Sequence, residues 1–310
     1  MATIVQPEHS STAEPVRVRK PLDLRAGLFA LLLSIAWGGN PVSIKAGLED
    51  APPLRLGWMR FALGGIIVLG WAIVTRQSLR IAKHERKPLL LLGALFSVQL
   101  AFMNVGQDHT TAGHAVVITT TFPLWTGVFA HFFVPGDRMT RGRTVGTLIA
   151  YGGVVAVFSR SLGAGDFLIG DSLLLCSAIL LGARQVYLSQ SSQGISLPKL
   201  LLAQSAVGIA TFVTASMFLE SDPYTITTRL ALALFYQGVV IAGFGFIFQT
   251  WLLKNYLPSR VTVISLSQPI FGVIFSWLIL GEHIGPELYA GAALVVVGSF
   301  LAQRRVHAGR

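Results

Sequence analysis

Ten stretches of mostly apolar residues follow one another along this chain, separated only by short polar connections. They run Leu24–Gly47, Leu54–Val74, Pro88–Gly106, Ala112–Val134, Val145–Phe158, Ser172–Ser189, Leu197–Leu219, Leu230–Leu253, Val261–Leu280 and Leu288–Ala302. A helix needs about 20 apolar residues to cross a bilayer. Backbone polar groups in hydrocarbon must be satisfied internally, so such stretches form helices. Composition agrees: 53% of the 310 residues are hydrophobic and only 12% are charged. A soluble domain carries about 25% charged residues. The reading is an all-α membrane protein of ten transmembrane helices, with no soluble domain.

The basic residues set the expected orientation. Of the 24 Lys and Arg, 18 fall on one side of such a bundle, in the first 25 residues, in alternate connections and after the last span. Arg55, Arg160 and Arg229 are the basic residues on the other side, and Lys45, Arg60 and Arg184 lie within spans. Positive charge marks the cytoplasmic face. Both termini are therefore expected in the cytoplasm of a multi-pass inner (plasma) membrane protein, as an even number of spans requires. The formal charge of +10 is then a topology signal, and no nucleic-acid partner is expected.

The second half of the chain echoes the first. Thr119-Thr120-Thr121-Phe122-Pro123-Leu124 is matched by Ser265-Leu266-Ser267-Gln268-Pro269-Ile270. Gly146 and Gly153 have counterparts in Gly291 and Gly298, and Leu31–Ser34 in Leu173–Cys176. The unit is five spans. Five is odd, so the copies take opposite orientations, an arrangement that places a solute site near the bilayer midplane between them. The expected organisation is a disordered cytoplasmic tail (1–22), two inverted five-helix repeats (23–160 and 161–303) and a short cytoplasmic tail (304–310).

These residues also carry a family resemblance. Trp37-Gly38-Gly39-Asn40-Pro41-Val42-Ser43-Ile44-Lys45 and Trp58-Met59-Arg60-Phe61 resemble the first two helices of the drug/metabolite transporter superfamily, EamA type. Ala112-Gly113 through Phe122-Pro123-Leu124 to Gly136-Asp137 resembles its fourth helix, and Gln268-Pro269-Ile270 to Gly281-Glu282 its ninth. The resemblance covers residues 24–303 and is greatest to aromatic amino acid exporters of the YddG type. It implies ten helices around a central cavity and export from the cytoplasm.

Candidate residues follow from polar positions at helical spacing within spans. Trp37 and Asn40, Phe96, Gln99 and Met103, Thr119 and Thr120, Tyr187, Tyr236, and Ser265 and Gln268 are read as a solute-binding set, with Gln185, Gln237 and Gln249 nearby. Amides and hydroxyls would hold an amino acid's polar ends, and aromatic and Met side chains its ring. Pro41, Pro123 and Pro269 each remove a helix hydrogen bond and are candidate hinges. All 14 Asp and Glu fall in tails, connections or span ends. That pattern points to a neutral or zwitterionic solute and to a facilitator, or to coupling through a group other than a carboxylate. Lys45, Arg60 and Arg184 are expected to snorkel to an interface; alternatively Lys45 or Arg60 would meet a substrate carboxylate or a loop carboxylate such as Glu49 or Asp50. His114 is the one candidate for proton relay. The lone Cys176 reads as a small packing residue; no metal, cofactor or disulfide is expected.

Zinc, nucleophile-elbow and phosphate-loop motifs are absent. The expected function is export of small metabolites, aromatic amino acids foremost, by alternating access, without enzymatic activity. The expected partners are an amino acid-like solute and the lipid bilayer around a monomer. Other amino acids or drugs, a passive channel and a membrane enzyme stay open as alternatives.

Overall fold

A computed structural model describes residues 24–133, 141–161, 165–255, 268–283 and 285–303. Ser265, the two tails and the first part of the ninth apolar stretch lie outside them. Among the described residues there are helices and no strands. In chain order they are α1 (Leu24–Leu48), α2 (Pro53–Val74), α3 (Lys83–Asp108), α4 (Ala112–Thr119), α5 (Phe122–Phe133), α6 (Arg141–Ser161), α7 (Gly165–Ser191) and α8 (Leu197–Leu219). α9 (Thr228–Leu234) then runs into a π-helical segment (Phe235–Gly245) and on into α10 (Phe246–Asn255). α11 (Gln268–Leu280) and α12 (Pro286–Gln303) complete the order.

Seven of the resulting stretches are long and apolar enough to cross a bilayer, and α11 and part of α12 are shorter apolar helices. Among the described residues this is fewer than the ten crossings expected. α11 is described only from Gln268, so its full length does not enter the count.

Side-chain placement is that of a multi-pass membrane protein. Ile73, Val74, Phe132, Met217, Phe218 and Trp277 stand exposed on the outer surface. A bundle in water would leave that area unfavourably hydrated; lipid tails solvate it. Cys176 belongs to this outer surface and is exposed, contrary to its reading as a packing residue. Inside, Phe61, Phe96, Phe212, Ile118 and Leu174 are fully buried, and Phe61 stacks on Phe96 and Phe212 at centroid distances of 4.9 and 5.5 Å.

Matched glycines join the two halves. A Cβ on Gly153 would lie 2.6 Å from the carbonyl oxygen of Gly291, and one on Gly298 would lie 2.5 Å from that of Gly146. Gly146 and Gly153 therefore meet the counterparts of each other, Gly298 and Gly291. As α6 runs from 146 to 153, α12 runs past it from 298 to 291, so corresponding helices cross antiparallel. That is the contact a pseudo-two-fold between oppositely oriented repeats produces. Small residues permit it because the backbones touch. The same relation recurs elsewhere: Gly38 of α1 abuts Gln268 and Gly272 of α11, and Gly182 of α7 abuts Trp125 and Thr126 of α5.

Gly298→Ala would put a methyl group 2.3 Å from the backbone nitrogen of Ala150, which can move only with its helix. Overpacking of this kind costs about 1–3 kcal/mol. The variant should melt at lower temperature in detergent than wild type. Gly152→Ala, with open space at its Cβ, should not. Equal melting of the two variants would argue against the helix contact.

Candidate functional site

One cavity lies where the two repeats meet. Trp37, Asn40 and Pro41 of α1, Arg60 and Phe61 of α2, and Gln99, Leu100 and Met103 of α3 form the wall from the first repeat. Leu181, Arg184 and Gln185 of α7 face them with Gln237, Ile241, Ala242, Phe246 and Gln249 from the span containing the π-helical segment, and Gln268 of α11. The space open to the centre of a water molecule is about 90 Å³. One water needs roughly 10–15 Å³ on that measure, so this is not a packing void.

Two irregular stretches of backbone reach the cavity. α4 ends at Thr119 and α5 begins at Phe122, and the break is lined by Val116, Thr119, Thr120 and Phe122. The hydroxyls of Thr119, Thr120 and Thr121 donate to the carbonyls of Ala115, Val116 and Ile118, adding to the backbone bonds that the Thr120 and Thr121 N–H groups make to Val116 and Ile118. Pro123 is the second residue of α5, where a missing N–H costs nothing. The second stretch is the π-helical segment, whose Gln237, Ile241 and Ala242 line the space. Such segments are rare and concentrate at functional sites.

Two arginines dominate the electrostatics. Arg60 is 3% exposed and Arg184 7%. Each lies seven residues from its nearer helix end, a depth of about 10 Å at 1.5 Å per residue. The Arg60 guanidinium stands 4.9 Å from the Phe61 ring centroid and donates to Gln237 Oε1 at 3.4 Å. The Arg184 guanidinium stands 5.0 Å from the Phe96 centroid and donates to Gln204 Oε1 at 2.6 Å. Desolvating such an ion costs several kcal/mol. A cation–π contact returns about 0.5–2 kcal/mol, and a neutral amide does not balance the charge. Arg60 Nε and Nη2, Arg184 Nε, Asn40 Oδ1 and Gln99 Oε1 have no hydrogen-bond partner among the described residues. The site therefore holds unspent donors and acceptors around two buried charges.

The bundle end bearing the α1–α2 connection is tied together across the repeats. Glu220 accepts from the N–H groups of Leu54 and Arg55 at 2.6 and 3.0 Å, capping α2. Glu282 accepts from those of Ala112 and Gly113 at 2.8 and 3.0 Å, capping α4. Negative charge is favoured at both helix N-termini. Arg229 pairs with Asp50 and Glu49, and Thr227 donates to Asp50 at 2.6 Å. Lys45 donates to the carbonyls of Gln107 and Asp108 at the end of α3. Near this end His114 Nδ1 lies 2.9 Å from Asp171 Oδ2, and Thr110 donates to Asp171 Oδ1 at 2.8 Å. At the opposite end Lys199 Nζ meets both oxygens of Glu85 at 2.9 Å.

Residues 24–159 and 168–303 each match the EamA-like transporter family. The chain belongs to this family. The transporter YoaV of Bacillus subtilis is 23% identical over 87% of this chain and 93% of its own. A probable amino-acid metabolite efflux pump of Escherichia coli is 26% identical over 89% of this chain and 93% of its own. Its namesake in Salmonella typhimurium is 28% identical over the same shares. A crystal structure superposes with a TM-score of 0.68 at 18% identity, covering 90% of this chain and 95% of its own, which shows a shared fold.

In this EamA-like transporter the cavity collects Trp37, Asn40, Gln99, Met103, Thr119, Thr120, Gln268 and Pro41 from the expected residues. Three others lie elsewhere. Phe96 is 1% exposed and packs behind the wall against Phe61, beneath Arg184. Tyr187 lines a separate apolar pocket with Leu95, Phe129 and Phe133, and its hydroxyl donates to the Pro88 carbonyl at 3.3 Å. Tyr236 donates to the Ala36 carbonyl at 2.7 Å, fastening α1, and is not among the lining residues.

One charge expectation is corrected. Arg60 and Arg184 do not snorkel; they point into the protein and line the cavity. Their distance from the helix ends is the sequence signal that marks them. Asp171 lies at a span end, as expected, four residues into the crossing Phe167–Ser191, but it is buried there at 0% exposure.

Arg229 and Thr227 hold the Asp50 carboxyl at about 2, below its usual 3.8. A carboxyl with a lowered pKa contributes stability that is present above the unfolded value and lost as pH falls through the folded one. The melting-temperature gap between wild type and Asp50→Asn should stay constant from pH 7 to about 5 and close as pH approaches 2. A gap that closes between pH 7 and 5 would contradict the Asp50–Arg229 pairing.

Proposed function

We propose that the protein exports small amino acid-like metabolites, aromatic ones foremost, by alternating access through the central cavity. The observation that carries this reading is the cavity's position and lining. It sits between oppositely oriented repeats and combines rings (Trp37, Phe61, Phe122, Phe246) with amides, hydroxyls and guanidinium groups. Rings give a flat apolar solute area to bury, and the polar groups fix its ends. The relatives in Escherichia coli and Salmonella typhimurium named as probable amino-acid metabolite efflux pumps support the solute class. The basic residues support cytoplasmic termini, so export runs from the side of the N-terminus.

In the proposed cycle the two repeats rock about the cavity. The Glu220, Glu282, Arg229 and Thr227 ties at the α1–α2 end join one repeat to the other, so they close that end as a set. The Thr120–Thr121 break beside Pro123, and Pro269 at the start of described α11, would absorb the bending. Pro41 lies within α1 at the cavity wall and would give that helix the same freedom.

Purified protein in liposomes tests the reading. Efflux of phenylalanine, tryptophan and tyrosine should exceed that of threonine and alanine, saturate with concentration and show counterflow. Preference for threonine would remove the aromatic assignment. Flux that rises linearly without counterflow would make the protein a channel. Pro269→Ala should slow transport several-fold more than it lowers expression; unchanged transport would remove the hinge.

A further inference from the structure

We infer that the cavity selects carboxylates that carry no compensating ammonium, so that the preferred solutes are net anions such as N-acylated amino acids. The inference rests on the carrier reading above and specifies the charge of what is carried. Arg60 and Arg184 bring two buried cations to one cavity. Their recorded protein partners there are neutral: Gln237 and the Phe61 ring for one, Gln204 and the Phe96 ring for the other. No Asp or Glu is among the described lining residues.

The described acids nearest the ends are committed elsewhere. Asp50 pairs with Arg229, Glu85 with Lys199 and Asp171 with His114, while Glu220 and Glu282 cap α2 and α4. The cavity thus carries positive charge with no described acid on its walls to offset it.

The unspent atoms specify the shape of the missing partner. Nε and Nη2 of Arg60 are the two donors along one edge of its guanidinium, the pair that a carboxylate bridges with two parallel hydrogen bonds. Arg184 Nε is a further donor facing the same need. Asn40 Oδ1 and Gln99 Oε1 are neutral acceptors. They suit an amide N–H or a hydroxyl and do not neutralise an ammonium. A zwitterion would satisfy one guanidinium and bring a new cation beside the other. An N-acylated amino acid offers the carboxylate, presents an amide N–H to the neutral acceptors and adds no positive charge. Its ring or acyl chain has the apolar wall.

Transport by the full chain in liposomes at pH 7.4 tests this, with phenylalanine against N-acetylphenylalanine and alanine against N-acetylalanine. The acetylated member of each pair should show at least tenfold higher kcat/KM. In Arg60→Gln and Arg184→Gln that ratio should fall toward one. Arg60→Lys, which keeps the charge and loses the bridging edge, should retain the preference for anions at reduced rate. Equal or faster transport of the free amino acids by wild type overturns the inference and leaves the carrier reading standing. Transport of none of the four overturns the carrier reading and this inference with it. The wild-type comparison decides the matter even if an arginine variant fails to fold.

Discussion

A backbone in hydrocarbon has no water to bond to, and the whole structure follows from that. Each span must close its own ladder of hydrogen bonds, which is why the described residues form helices and no strands. Irregular backbone is tolerated where it lines a polar cavity, and both irregular stretches do so. At Thr119–Thr121 three hydroxyls add bonds to carbonyls of the preceding turn. From the π-helical segment the Gln237 side chain donates to the Ser43 carbonyl of α1 at 3.0 Å. The cavity lies where the helices are imperfect.

Close approach between the repeats is the second condition. Helices in lipid gain no hydrophobic energy from meeting, so they associate by fit. The fit here is backbone on glycine, at Gly153 and Gly298 in one crossing and at Gly38 and Gly182 in two others. Because these contacts occur in related pairs, one set of packing rules serves both halves. The sum is two similar bodies in opposed orientation, with a polar seam between them.

Much of this was legible in the sequence because hydropathy and charge are one-dimensional signals. The spans, the matched glycines and most of the polar wall could be read directly. What failed was whatever depends on the neighbouring helix. Arg60 and Arg184 read as interface residues because charge in a span usually escapes to water, yet Arg60 finds the Gln237 amide, and Arg184 the Gln204 amide and the Phe96 ring, on other elements. Tyr236 has the helical phase of a lining residue, but a carbonyl of α1 claims its hydroxyl. Asp171 is a span-end residue whose burial is hidden from the sequence, because His114 of α4 and Thr110 of the turn before it come against it. Partners of this kind come from positions tens of residues away and leave no local mark.

The acidic caps at the α1–α2 end carry a kinetic consequence. Glu220 and Glu282 hold four backbone N–H groups, those of Leu54, Arg55, Ala112 and Gly113, and each cap reaches from one repeat to a helix of the other. Separating the repeats at that end uncovers all four amides together. In the proposed cycle those four amides would open as one cooperative unit. Solvent exchange at those amides would keep time with the transport cycle, quickening when a solute drives turnover and stalling when the repeats are locked.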